Sequence, residues 1–159
     1  MKLDRTDSLI LQHIQNNARM SNVELADAVG LSPAPCLRRV KALEQAGVIK
    51  RYAGIVDPAA VGLPISVFVN VSLERQERSG LEDFEQHISS YPEVMECYLM
   101  TGSSDYLVRV VVADLQAYER FLADKLTRIP GVASIQSSFA LKQVVYSTEL
   151  PLDESVFQL

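Results

Sequence analysis

The chain of 159 residues has no tryptophan, two histidines and two cysteines. Cys36 and Cys97 stand far apart with no CxxC spacing, which argues against a disulfide-stapled scaffold and leaves free thiols in a reducing cytoplasm as the expectation. His13, Cys36, His87 and Cys97 fall one to each expected element, so no clustered ligand set points to a metal. There is no apolar run of about 18 residues and no charged-then-apolar leader, so neither a membrane span nor a signal peptide is expected. Asp105 and Tyr106 are adjacent, but no nucleophile, base and orienting group accompany them, so no catalytic residues are assigned and no enzyme is expected. What the chain does contain is 48% hydrophobic and 22% charged residues, the composition of a globular protein.

Charge is divided unevenly. Residues 1–56 carry eight Lys/Arg against five Asp/Glu, and residues 57–159 carry seven against fifteen, giving −5 in all. A small basic part joined to a larger acidic one suggests an anion-binding module on a carrier that repels the same anion.

The basic part reads as three helices. Leu3, Ile10, Leu11 and Ile14 form the stripe of a first helix over residues 4–16, with Asp4 and Asp7 near its N-terminus, where the helix dipole favours acids. Ser21 and Glu24 have capping-box spacing for a second, short helix, and Gly30 supplies its left-handed stop. Ser32 then suits an N-cap and Pro33 the first helical position. In this third helix Leu37, Val40 and Leu43 define an expected buried stripe, while Ala34, Pro35, Arg38 and Ala42 face outward with Arg39 and Lys41 on the shoulders. Helix, short helix, glycine turn and helix is helix-turn-helix spacing. Small residues at the entry, an arginine for guanine edges and flanking cations for phosphates suit a major groove. The DNA contacts expected are Ser32, Pro33, Ala34, Pro35, Arg38, Arg39 and Lys41. A short strand or wing over residues 48–56 follows, with Lys50 and Arg51 either meeting phosphates or merely exposed. Two prolines and a glycine make residues 57–64 a hinge.

The acidic part reads as strand, helix, two strands, helix and strand. Residues 65–73 alternate, with Ile65, Val67, Val69, Val71 and Leu73 on one face and Ser66, Phe68, Asn70 and Ser72 on the other. Leu81, Phe84 and Ile88 mark a helix, residues 94–100 and 105–112 two strands, and Leu115, Tyr118, Leu122, Leu126 and Ile129 a second helix capped by Asp114. A last strand is expected over 132–145. The βαββαβ order is the ferredoxin-like plan. Both helices cover one sheet face, so the face carrying Phe68 and Asn70 awaits a partner chain. The fold class expected is α+β: a winged helix-turn-helix domain over 1–56, the hinge, and a βαββαβ domain over 65–159.

The segments Leu31-Ser32-Pro33-Ala34-Pro35-Cys36-Leu37-Arg38-Arg39-Val40, Glu44-Gln45-Ala46-Gly47-Val48-Ile49, Thr101-Gly102-Ser103-Ser104-Asp105-Tyr106-Leu107 and Leu126-Thr127-Arg128-Ile129-Pro130-Gly131-Val132 resemble the Lrp/AsnC, or feast/famine, family of transcriptional regulators. The resemblance covers essentially the whole chain. It implies a DNA-binding domain followed by an effector-binding (RAM) domain, dimers that assemble as octamers of four dimers, and a free amino acid bound where dimers meet. It places the effector positions at Leu99, the turn of Met100, Thr101 and Gly102, Asp105, Leu115, and Ser137, Ser138, Phe139 and Ala140. Residues 96–100 and 137–143 resemble regulators of branched-chain amino-acid catabolism, which implies leucine or another aliphatic effector. Read without the resemblance, Asp105 is either a turn-forming acid or an acceptor for an ammonium group. Phe139 and Leu99 read as core or interface residues. Two other functions remain open at this point: a stand-alone amino-acid-binding module, and an effector-independent architectural DNA binder. The partners expected are double-stranded DNA, further copies of the chain and a small amino acid.

Overall fold

A computed structural model describes residues 2–152. It divides into two compact units, one of residues 2–55 with 144–152 and one of residues 56–143.

In the first unit, α1 (Arg5–Asn16), α2 (Asn22–Ala28) and α3 (Pro33–Gln45) surround a core of Ile10, Leu11, Leu25, Ala26, Cys36 and Leu43. The capping box expected for α2 forms, and α1 has one as well. Asp4 caps α1 in a capping box with Asp7, and Ser21 caps α2 with Glu24. Gly30, at φ +70°, ends α2 in the left-handed conformation that a side chain would resist. The Leu31 N–H then closes the turn on the Ala26 carbonyl at 2.8 Å.

Three expectations are corrected here. The buried stripe of α3 is Cys36, Val40 and Leu43, and Leu37 is 41% exposed. Spacing of four and three keeps those side chains over one line on the helix, whereas Leu37 lies a full residue's rotation away. No strand forms over residues 48–56, because the unit supplies no neighbouring strand for a ladder. Ile49 packs on the core instead, and the Tyr52 hydroxyl donates to Glu44 Oε1 at 2.7 Å. Finally, residues 144–152 group with the helices rather than continuing the second domain, and Leu152 packs against the helical core.

The second unit is a four-stranded antiparallel sheet of β1 (Ile65–Leu73), β2 (Val94–Leu99), β3 (Tyr106–Val112) and β4 (Val132–Phe139), in the order β2-β3-β1-β4. The helices α4 (Arg78–Ser89) and α5 (Leu115–Asp124) supply Phe84, Ile88, Tyr118 and Phe121 to the core under the sheet. The alternation of β1 is realised in full: Val67, Val69 and Val71 are wholly buried while Phe68 is 38% exposed on the other face. This is the ferredoxin-like arrangement read from the sequence. The stripe expected to run from Leu115 to Ile129 breaks after Asp124, and a 3-10 turn over Leu126–Arg128 carries Leu126 and Ile129 into the core. Leu115 is left exposed. The last strand stops at Phe139, not near residue 145. Its partner β1 starts at Ile65 behind Pro64, so after the Ala140 N–H bonds the Ser66 carbonyl no ladder remains.

Candidate DNA interface and effector site

The outer face of α3 begins with an unusual cap. Ser32 occupies the N-cap position but makes no side-chain capping bond. A capping hydroxyl bonds the N–H of the second or third helical residue; here the third is Pro35, which has none. The Ser32 hydroxyl is therefore available to a ligand, and Ala34 alone among the first three helical residues keeps an N–H. Ser32, Pro33, Ala34, Arg38 and Lys41 are exposed and Pro35 is half-buried. The α2 residue Asn22, which sequence reasoning passed over, donates from Nδ2 to the Pro33 carbonyl at 2.8 Å and fixes where α3 starts.

Arg39 differs from its neighbours. Its Nη1 lies 2.8 Å from both Asp4 Oδ2 and Asp7 Oδ1, and the Asp7 side chain is almost wholly buried. Bonds to Asp7 and then Asp4 raise the guanidinium's pKa above its ordinary value. Arg39 therefore ties α3 to α1, an engagement that the sequence expectation of a phosphate contact did not include. Lys50 and Arg51 are exposed and make no ion pair among the described residues, as is true of Arg38 and Lys41. An exposed helix face carrying Arg38 and Lys41 is suited to an anionic groove.

In the second unit the expected effector positions form two groups. Leu99, Met100, Thr101, Gly102 and Asp105 surround the β2–β3 turn, where Leu99 pairs with Tyr106 and Tyr106 with Val71. Gly102 has φ +123°, which a side chain would strain. Ser138 and Phe139 lie on β4, where Phe139 pairs with Val67, and Ala140 follows. Leu115 starts the helix after the same end of β3. The two groups are on opposite edge strands and at opposite ends of the sheet. Four residues along a strand and three strand spacings separate them by about 19 Å. No single copy brings them together around one small molecule.

Asp105 is buried and already engaged. Its Oδ2 accepts from the Leu73 N–H and its Oδ1 from Gln76 Nε2, both at 2.7 Å. Its role within the chain is to hold the loop after β1 against the β2–β3 turn, and Gln76, unforeseen from sequence, is its partner. Ser104 Oγ likewise donates to Asn70 Oδ1 at 3.1 Å. Ser137 turns toward the helices and shares a short hydrogen bond with the Tyr118 hydroxyl. Burial raises the pKa of that phenol although the Ser137 bond opposes it. Phe139 meets Tyr118 edge-on at 5.3 Å, whereas Ser138 points to the open face across from Phe68. Both thiols are held toward the protonated form. Burial raises the Cys36 pKa, and burial with Glu85 pushes Cys97 up to about 11.

A helix-turn-helix unit with a bare cationic helix, followed by a ferredoxin-like unit, defines a DNA-binding protein that carries a second, ligand-binding module. Comparison with known proteins agrees. The family model described as the Lrp/AsnC ligand binding domain matches residues 66–150, and one described as a winged helix-turn-helix DNA-binding domain matches residues 3–50. The chain is 48% identical to the Bkd operon transcriptional regulator of Pseudomonas aeruginosa, over 95% of this chain and 99% of that one. It is 38% identical to the leucine-responsive regulatory protein of Escherichia coli, over 93% and 90%. Among solved structures, a transcriptional regulator from Neisseria meningitidis in complex with L-methionine superposes with a TM-score of 0.90 at 44% identity, covering 95% of this chain and 97% of that one. The chain belongs to the Lrp/AsnC family of transcriptional regulators.

Proposed function

We propose that this regulator reads its operator with α3 and responds to an aliphatic amino acid bound between copies of the chain. Ser32, Pro33, Ala34, Pro35 and Arg38 would meet the major groove, with Lys41, Lys50 and Arg51 on phosphates. The observation that carries the effector reading is the separation of the two groups of matched positions by about 19 Å on one sheet. A site that needs both is completed when the Gly102 corner of one copy meets the Phe139 corner of another. Leu99 and Phe139 then offer apolar walls, the Gly102 turn offers backbone N–H groups to a carboxylate, and Asp105 fixes the turn's position. No cluster of unpaired buried charge stands at either corner among the described residues to receive a charged side chain. The names of the relatives, a leucine-responsive protein and an L-methionine complex, support the same effector class.

Self-association would use the open sheet face in a first step, with Phe68 between Arg109 and Ser138 on neighbouring strands, and the corners in a second, giving an octamer of four dimers. The test is a thermal-shift screen of the wild-type chain against the twenty amino acids, with sedimentation in parallel. A native-state ligand raises the melting midpoint. The reading expects leucine, isoleucine, valine or methionine to raise it and to change the assembly state. If no amino acid alters midpoint, assembly or operator affinity, the protein is an effector-independent DNA binder.

A further inference from the structure

One face of α1 is occupied in a way that neither DNA reading nor effector binding uses. Ser8, Gln12, Gln15 and Asn16 recur at helical spacing and share a stripe. In the first unit that stripe holds the segment 149–152. Gln15 grips the Leu150 backbone from both sides, its Oε1 accepting the Leu150 N–H at 2.7 Å and its Nε2 donating to the Leu150 carbonyl at 3.3 Å. Gln12 Nε2 donates to the Leu152 carbonyl at 2.6 Å, and Ser8 Oγ reaches the same oxygen at 3.4 Å. Asn16 Nδ2 donates to Glu149 Oε1 at 3.1 Å. The leucines add an apolar component. Leu150 and Leu152 wall a cleft of about 580 Å³ with Leu11, Ile14, Val48 and Ile55. Backbone groups read by side-chain amides beside an apolar cleft are elements of extended-peptide recognition.

The segment is tied at its other end to the effector unit. Residues 141–147 form no helix or strand, and Leu141, Val144 and Val145 lie open to solvent. They follow directly on Ser138, Phe139 and Ala140 at the end of β4. On the helix side, Ser8 adjoins Asp7, whose carboxylate holds Arg39 of α3. One turn of α1 therefore carries the tail on one side and the recognition helix on another.

We propose that this face of α1 is a peptide seat whose occupant is the chain's own segment 149–152, and that the seat couples the β4 end of the effector unit to the recognition helix. The coupling half rests on the effector reading above, and the seat itself does not. Five hydrogen bonds from four side chains, with two leucines, hold the tail, a contact set small enough to open separately from the unit's core. A ligand that favours one arrangement at the β4 end then shifts how often the seat is filled.

The test uses the full chain. Hydrogen exchange at the Leu150 amide is compared between wild type and Gln12→Ala/Gln15→Ala, with a free peptide of residues 144–152 as the unprotected reference. Operator affinity is measured with and without L-leucine and L-methionine, on a DNA fragment selected from random sequence. The wild-type Leu150 amide should exchange at least tenfold more slowly than in the double variant. The amino-acid-induced change in operator affinity should shrink in the variant to less than a third of its wild-type size. Gln12→Glu, which keeps the side chain's length but replaces the donor to the Leu152 carbonyl with a carboxylate that repels it, should give both results without opening a gap. A wild-type Leu150 amide exchanging at the free-peptide rate overturns the seat. A variant that frees Leu150 and yet keeps the full amino-acid response overturns the coupling. If neither amino acid changes wild-type operator affinity, the effector reading fails, and Leu150 exchange still decides the seat.

Discussion

Arg39 on α3 bonds Asp4 and Asp7 on α1 through a single nitrogen, at 2.8 Å to each, one residue along from Arg38, which is exposed and bonds neither. Adjacent arginines of one helix thus differ in engagement: Arg39 anchors α3 to α1, and Arg38 stands exposed to solvent.

That contrast makes the first prediction. Arg39→Ala leaves Asp7 buried without its partner, and should cost about 2–3 kcal/mol of first-unit stability, reduced from the fully buried case because part of the guanidinium is solvated. The measurement is urea denaturation followed on the wild type and the variant. A loss below about 0.5 kcal/mol, with the salt slope of DNA binding shallower by one phosphate, would return Arg39 to the DNA contacts.

Arg38→Ala should leave stability within about 0.5 kcal/mol and weaken binding to the selected operator by about 1–3 kcal/mol, with base preference relaxed at one position per half-site. Binding titrations on a panel of singly substituted operators measure this. Equal weakening on every sequence identifies a phosphate contact instead.

Acid should loosen the first unit through Asp4. The Asp7 N–H first, and Arg39 after the opposing effect of burial, hold the Asp4 carboxyl below its ordinary value of 3.8. A carboxyl depressed in the folded state adds stability above its unfolded pKa, and loses it as pH falls through the folded one. Asp4→Asn keeps a capping side chain and removes the charge. The midpoint advantage of wild type over Asp4→Asn should be full at neutral pH and fade below about pH 3.8. Thermal melts at pH 7 and at steps down to about pH 2.5 follow it, and a constant difference across that range contradicts the assignment.

Asp105→Ala should unsettle the loop after β1 as well as any ligand response. Losing the acceptor for the Leu73 N–H and Gln76 should cost about 1–3 kcal/mol in the second unit and abolish the amino-acid-induced change in operator affinity. The paired readings are a chemical melt and an operator titration with L-leucine. A variant of wild-type stability and wild-type response would show that the carboxylate holds neither loop nor site.

Phe68→Asp places a charge on the open sheet face and should turn an assembled wild type into a smaller species by sedimentation equilibrium, at a cost typical of an unpaired buried charge. A wild type that sediments as a monomer while binding its operator tightly removes that face from assembly.

The sequence by itself determined much of this protein. Period-two alternation located β1 and the face that Phe68 occupies, an apolar stripe behind two acids located α1, capping-box spacing located α2, and Gly30 located the turn before α3, because each signal acts within a few residues of itself. What tertiary structure decided were the partnerships between distant residues. Arg38 and Arg39 are the same residue type side by side, and only the approach of α1 gives one of them two carboxylates. Ser32 was legible as an N-cap with Pro33 at the first helical position, yet the N–H that Pro35 lacks left the Ser32 hydroxyl without a capping bond. Gln76 carried no local pattern, and its bond to Asp105 exists because β1 and β3 are neighbours. The amides on α1 carry no local signal of a partner, and the segment 149–152, more than a hundred residues later, lies on them. Local rules cannot see such contacts, because their free energy depends on how elements far apart in the chain are brought together.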